Sequence, residues 1–173
     1  MISNSELKDI DTLLFDVDGT LTDGKVAWDS NGAKVKFFDI KDIHWLKLAR
    51  RAGLKTGVIS GQDGRDIGGF IAETGMDIAI FNAKDKIAAF ETLVSSGQID
   101  PAHTLYAGDD VVDLPLLKRV KAAVAVADAV PELDEAAHWR TRNPGGNGAA
   151  MEIIRKVLEA NESYNKIMER YRK

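Results

Sequence analysis

The sequence predicts an α/β fold, a Rossmann-like parallel sheet with helices on both faces and a β-hairpin projecting from it. Three observations carry that expectation. Short, nearly continuous apolar runs recur along the chain, as strands buried on both faces require. Between them lie stretches whose apolar residues fall three or four apart, the spacing of a helix face. The regular alternation of the two patterns favours parallel strands joined by helical crossovers.

The strands expected, in order, are Thr12–Val17, Thr56–Ser60, Ile78–Phe81, Thr104–Ala107 and Ala123–Val126. Ile43, Leu46 and Ala49 mark a first helix, Ile67, Phe70 and Ile71 a second, and Ile87, Phe90, Leu93 and Val94 a third. One segment breaks the alternation. From Gly24 to Phe38, Val26 and Trp28 alternate with Lys25 and Ala27, DSNG supplies a turn, and Val35 and Phe37 alternate with Lys34 and Lys36. That pattern predicts a hairpin beside the end of the first strand, its apolar positions facing either the domain or a second subunit. A C-terminal helix is expected from about Ala149 to Tyr171, with Ile154, Val157, Tyr164, Met168 and Tyr171 as its stripe. The preceding NPGGNG, Asn143 to Gly148, has the composition of a flexible connector. No internal repeat or second-domain boundary is evident, so residues 1–173 are expected to form one domain without a cap.

Composition narrows the function. The chain is 45% hydrophobic and 29% charged, ordinary for a soluble globular protein. With no cysteine there is no disulfide framework and no thiolate metal site, which fits a reducing cytoplasm. Met1 to Asp11 lacks the charged-then-apolar pattern of a secretory signal, and the longest apolar stretch, Ala122 to Ala127, is too short to cross a bilayer. Neither secretion nor membrane insertion is expected. A net charge of −4 with scattered basic residues argues against a nucleic-acid partner.

The chemistry concentrates where strands end. Asp16 and Asp18 leave the first strand and enter a glycine turn, within LLFDVDGTLTDG. Two carboxylates so close repel unless a cation intervenes, and hard oxygen ligands select magnesium. In the functional reading Asp16 is a nucleophile and metal ligand. Asp18 offers its main-chain carbonyl to the metal and its side chain as acid, then base. Such a pair alone is also a common Asp- and Gly-rich turn, and it is the other motifs that weigh against that reading. After the fourth strand, YAGDDVVDL places Asp109, Asp110 and Asp113 within five residues. Asp109 is the candidate for direct metal ligation; Asp110 and Asp113 are expected to orient water and neighbouring groups around it. Asp113, before Leu114-Pro115, equally reads as a helix N-cap, and both readings can hold together. Ser60 and Gly61, ending the second strand, offer a hydroxyl and an N–H to a phosphoryl oxygen. Lys84 or Lys86, after the third, offers a neutralising charge.

This order of motifs, DVDGT, then Ser60, a lysine and GDDVVD, resembles the four-motif signature of the haloacid dehalogenase superfamily of phosphohydrolases. The resemblance implies Asp16 as nucleophile and Asp18 as general acid/base. It also implies Ser60 and Lys86 as phosphoryl holders, with Asp16, Asp18 and Asp109 around Mg2+. Lys86 is preferred over Lys84 because it matches the family lysine that opens the following helix. More narrowly, DGTLTDG, the hairpin, FFDIKD, AVAVADAVPEL and TRNPGGNGA resemble the 3-deoxy-D-manno-octulosonate 8-phosphate phosphatases, a capless family of lipopolysaccharide sugar synthesis. That likeness implies a small phosphorylated sugar acid as substrate, with Asp39, Lys41 and Asp42 joining Asp18, Ser60, Gly61 and Lys86 in binding it. It further implies a homotetramer in which a neighbour's hairpin and tail reach toward the site. The chain departs from the family at Asp42-Ile43, where DG is usual, and at Gln62 and near Phe70, where arginines are usual. Arginine suits a carboxylate because it binds at two points. A nonulosonate 9-phosphate or another phosphosugar therefore stands as an alternative substrate. A phosphomutase and a non-catalytic phosphosugar sensor are further alternatives. His44 and Trp45, in the altered stretch, either line a changed pocket or face outward.

Overall fold

A computed structural model describes residues 3–173; Met1 and Ile2 of the polar opening lie outside it. The sheet has six parallel strands. They are β1 (Thr12–Phe15), β4 (Lys55–Ile59), β5 (Ile78–Ile80), β6 (Thr104–Gly108), β7 (Ala122–Ala125) and β8 (Trp139–Arg140), in the spatial order β5-β4-β1-β6-β7-β8. The expected parallel sheet is present. The two-residue edge strand β8 is an addition that gave no periodic signal.

The twofold period of a strand divides the core. Leu13 and Phe15 of β1, Leu105 and Ala107 of β6, and Ala122 and Val124 of β7 join one cluster. There they meet Leu46 and Ala49 of α2 (Ile40–Arg51), Phe70 of α3 (Gly68–Thr74) and Ile153, Ile154 and Val157 of α6 (Ala149–Ala160). Leu14, Tyr106, Ala123 and Ala125 point the other way. They meet Phe90 and Leu93 of α4 (Lys86–Ser95) and Leu116 and Leu117 of α5 (Leu114–Leu117). Burial on both faces explains why these strands read as unbroken apolar runs.

The hairpin forms as β2 (Ala27–Trp28) against β3 (Lys34–Val35), with Ala27 opposite Val35 and Trp28 opposite Lys34. Asp29 closes its turn, accepting hydrogen bonds from the N–H groups of Asn31 and Ala33. A Thr22–Phe38 bridge ties the hairpin's base to the loop after β1. Val26, Trp28, Val35 and Phe37 are all exposed. Between β4 and β5 lies α3, with no inserted cap among the described residues.

Two expectations need correction. The C-terminal helix is not continuous: α6 ends at Ala160, Glu162 takes a left-handed φ of 64°, and α7 (Ser163–Met168) restarts the chain. The break lets Tyr164 stack beside Trp45 and Tyr171 meet His44, which a straight helix would carry past. NPGGNG is no loose connector. The Gly145 N–H bonds Asp128 Oδ1 at 2.9 Å and the Gly146 N–H bonds the Thr20 carbonyl at 3.0 Å. A Cβ at Gly145 would collide with the Gly19 carbonyl, so glycine there permits close backbone contact with the loop after β1.

The chain runs from β1 outward to β4 and β5, then returns to β6 on the other side of β1. A crevice therefore opens at the carboxyl ends of β1 and β6, where connections diverge to opposite sides.

Candidate active site

Asp16 follows β1 directly, its N–H bonded to the Ala107 carbonyl at 2.9 Å, and the residue is 6% exposed. The chain then folds back on itself. The N–H groups of Thr20, Leu21 and Thr22 converge on the Val17 carbonyl at 3.3, 3.0 and 3.0 Å, and Thr22 Oγ1 accepts from the Gly19 N–H. Gly19 has a φ of 85°, and a Cβ there would strike the Asp109 carboxylate. The glycine of the DGT turn thus clears the space that Asp109 fills from the end of β6. Thr20 Oγ1 donates to Asp109 Oδ1 at 3.2 Å.

Lys86 opens α4 and reaches under this turn. Its Nζ lies 2.6 Å from Asp16 Oδ1 and 2.6 Å from Asp113 Oδ1. Lys84 is exposed instead. Asp113 is fully buried with both oxygens occupied. Oδ1 accepts from Lys86 and from the Tyr106 hydroxyl at 2.6 Å, and Oδ2 from the N–H groups of Asp109 and Asp110 at 3.0 and 3.3 Å. Asp113 thereby fixes the lysine on one side and the backbone carrying Asp109 on the other. The expected side-chain cap of α5 is not made: Asp113 stands at the N-cap position of α5, but its carboxylate turns back to the Asp110 N–H and closes a capping box on the turn 111–113. Asp110 is exposed and accepts from the Val111 N–H at 2.7 Å, capping the same turn.

The electrostatics follow from burial and crowding. Burial and the neighbouring Asp113 lift the Asp16 carboxyl to about 6 against the pull of Lys86. Burial, then Asp16 and Asp113, lift Asp109 to about 8. Burial pulls the Lys86 ammonium down, but Asp16 and Asp113 outweigh it and hold its pKa above the ordinary value. One lysine does not neutralise three acids. Asp16, Asp109 and Asp113 each bring a carboxylate oxygen within 4.8 Å of the others. Because Asp113 is already saturated, Asp16 and Asp109 are the pair open to a cation. An all-oxygen, anionic donor set in which protonation is the alternative to a cation fits a hard divalent ion such as magnesium.

Ser60, just past β4, is 2% exposed; its Oγ accepts from the Gln62 N–H at 3.1 Å, so its own proton remains to donate. Gly61 beside it is exposed. Asp18 is held by Lys36, a polar position of the hairpin's alternation to which sequence reasoning gave no role. Lys36 Nζ lies 2.8 Å from Asp18 Oδ1 and 2.9 Å from Asp66 Oδ2, and its side chain is only 2% exposed. Tyr106 and Asp66 were likewise hidden, one inside an apolar strand run and the other in a polar loop.

The proposed substrate ligands of the FFDIKD segment are placed otherwise. Asp39 caps α2 through the Lys41 N–H at 2.6 Å. Lys41 is exposed and lines a shallow cleft with Ile40, His44, Trp45 and Glu73, apart from Asp16, Ser60 and Lys86. Asp42 needs correction as a substrate ligand. It is 1% exposed, and its oxygens accept from the N–H groups of Gly148 and Met151 at 3.2 and 2.7 Å. Where the family has glycine after this aspartate, Ile43 packs into the core, so the change there alters packing.

The chain is similar in sequence and in fold to known proteins. Residues 70–153 match a family described as haloacid dehalogenase-like hydrolase. The chain is 32% identical over 156 residues to the 3-deoxy-D-manno-octulosonate 8-phosphate phosphatase KdsC of Escherichia coli K12, covering 90% of this chain and 83% of that protein. A probable yrbi family phosphatase from Pseudomonas syringae superposes with a TM-score of 0.94 at 31% identity, over 98% of this chain and 97% of that one. The 3-deoxy-D-manno-octulosonate 8-phosphate phosphatase of Moraxella catarrhalis, in complex with magnesium, phosphate and KDO, superposes at 0.93 and 26% identity over 97% of both chains.

Proposed function

The chain belongs to the 3-deoxy-D-manno-octulosonate 8-phosphate phosphatase family of haloacid dehalogenase-like hydrolases, and from that premise we propose a magnesium-dependent phosphomonoesterase acting through an aspartyl phosphate on Asp16. The observation that carries the reading is the pairing of Asp16 with a buried ammonium at 2.6 Å and an Asp109 oxygen within 4.8 Å. Asp16 attacks phosphorus, and its new O–P bond forms as the bond to the alcohol breaks. Asp18 gives its proton to the departing oxygen. Asp18 then takes a proton from water, whose oxygen displaces Asp16 and releases inorganic phosphate. Lys86, the Ser60 hydroxyl and the Gly61 N–H hold the phosphoryl oxygens through both steps. Asp16, Asp109 and the main-chain carbonyl of Asp18 would hold magnesium, which would supply Lewis-acid neutralisation of the same charge.

The substrate we favour is a phosphorylated sugar acid of the 3-deoxy-D-manno-octulosonate 8-phosphate type. The second reading, a nonulosonate 9-phosphate or another phosphosugar, draws support from the two missing arginines. Gln62 accepts from Lys34 of the hairpin at 3.0 Å, which leaves a different cation near that position. Phe70 is buried and stacks on Phe38 with ring centroids 4.0 Å apart, so position 70 contributes packing rather than charge. The exposed apolar residues of the hairpin support assembly into a homotetramer.

The test is phosphate release with magnesium across a panel of phosphorylated sugar acids and neutral sugars. Hydrolysis led by the sugar acids is expected, and Asp16→Asn should abolish it while leaving the fold intact. Turnover by that variant comparable to wild type would end the assignment of Asp16. Ligand binding with no phosphate release would favour a sensor, and an isomerised sugar phosphate a mutase.

A further inference from the structure

Lys36 is the most deeply buried charged group of the hairpin, and no step above uses it. It sits between β3 and the Thr22–Phe38 bridge, where strand alternation alone would aim its side chain at solvent. Instead its ammonium bridges Asp18 Oδ1 at 2.8 Å and Asp66 Oδ2 at 2.9 Å. Asp66 is committed to this contact, for its other oxygen is buried without a hydrogen-bond partner among the described residues. Asp18 is committed on one side only: no described hydrogen bond engages Oδ2, and its side chain is 34% exposed. Burying an ammonium between two carboxylates is costly unless its geometry is used, since removing either charge leaves the other unpaired.

We propose that Lys36, braced by Asp66, is a positioning residue for Asp18, pinning Oδ1 so that Oδ2 is the oxygen that delivers and recovers the proton. This rests on the phosphatase reading of the site and adds to it. The ammonium occupies Oδ1, which leaves Oδ2 as the oxygen free to face the departing alcohol. The clamp also removes rotation of the carboxyl plane, and proton transfer in a transition state depends on that alignment. Lys36 itself touches neither phosphorus nor the departing alcohol.

A proton donor matters in proportion to how poorly the leaving group departs unaided. The experiment compares kcat/KM for a primary alkyl phosphate with kcat/KM for p-nitrophenyl phosphate, whose phenolate leaves without protonation. This ratio reports the first phosphoryl transfer alone. Lys36→Met should lower the alkyl value by roughly 100-fold and the aryl value by less than about 10-fold, the lower end of what acid catalysis contributes. Asp66→Asn, which keeps the lysine but weakens its brace, should shift the ratio the same way by less. Should Lys36→Met fail to fold, Asp66→Asn decides the matter by itself. Lys25→Met, on the exposed arm of the same hairpin, should leave the ratio unchanged. Parallel losses on both substrates, or none, would overturn the positioning role while leaving the phosphatase reading intact. No turnover of either substrate by the wild-type chain would remove both.

Discussion

Lys86 and Asp113 meet at 2.6 Å where the aspartate side chain has no exposure, and the same ammonium stands 2.6 Å from Asp16. The lysine is therefore a shared counter-ion. Lys86→Met removes it and leaves two buried carboxylates facing each other. We expect kcat/KM to fall at least about 100-fold and stability to fall by about 3 kcal/mol, the scale of a broken buried pair. Chemical denaturation and phosphate release measure the two effects. Wild-type turnover in this variant would exclude Lys86 from phosphoryl binding.

Stability should depend on pH and magnesium together. Asp16 and Asp109 have folded-state values of about 6 and about 8, above the ordinary 3.8. A raised acid binds its proton more tightly folded than unfolded. Its contribution is therefore full below 3.8 and is lost as pH rises through about 6 and then about 8. The melting temperature of the metal-free protein should fall from pH 5 to pH 8. Magnesium must displace those protons, so it should raise the melting temperature more at pH 8 than at pH 6. An equal magnesium shift at both values would contradict a cation shared by Asp16 and Asp109.

Asp42 tests a structural role against a binding one. Its carboxylate takes the N–H groups of Gly148 and Met151 at the start of α6, a helix whose N-cap residue has no side chain to do so. Asp42→Ala should cost about 1–2 kcal/mol, the worth of a lost cap. KM for the sugar phosphate should stay within a factor of about 3, since less than 1 kcal/mol of binding is at stake. A tenfold rise in KM at unchanged stability would restore it as a substrate ligand.

The hairpin offers the remaining prediction. Trp28 and Phe37 are 64% and 67% exposed, an apolar surface that the described residues leave uncovered. Replacing both with lysine should convert the proposed tetramer to smaller species in light scattering without unfolding the sheet. A wild-type chain that is monomeric at micromolar concentration would remove the tetramer from the proposal.

Much of this was readable from sequence because it is local. Two-sided burial makes strands such as AAVA apolar throughout, and a crossover helix must place its apolar residues three or four apart. Polar residues that follow such strands must then lie at one rim of a parallel sheet, which places Asp16, Ser60 and Asp109 there from the sequence alone. What the sequence left open depends on contacts between distant segments. Period-two alternation sends Lys36 outward, yet Asp18 and Asp66 draw it inward because a buried charge needs partners. Asp42 looks like any acid in a motif, and only its meeting with Gly148, more than a hundred residues away, makes it a cap. NPGGNG has the composition of a flexible loop, and the same lack of side chains is what lets it pack against the turn after Asp18. Periodicity reports which face of an element is buried; which charges meet there is decided by the fold.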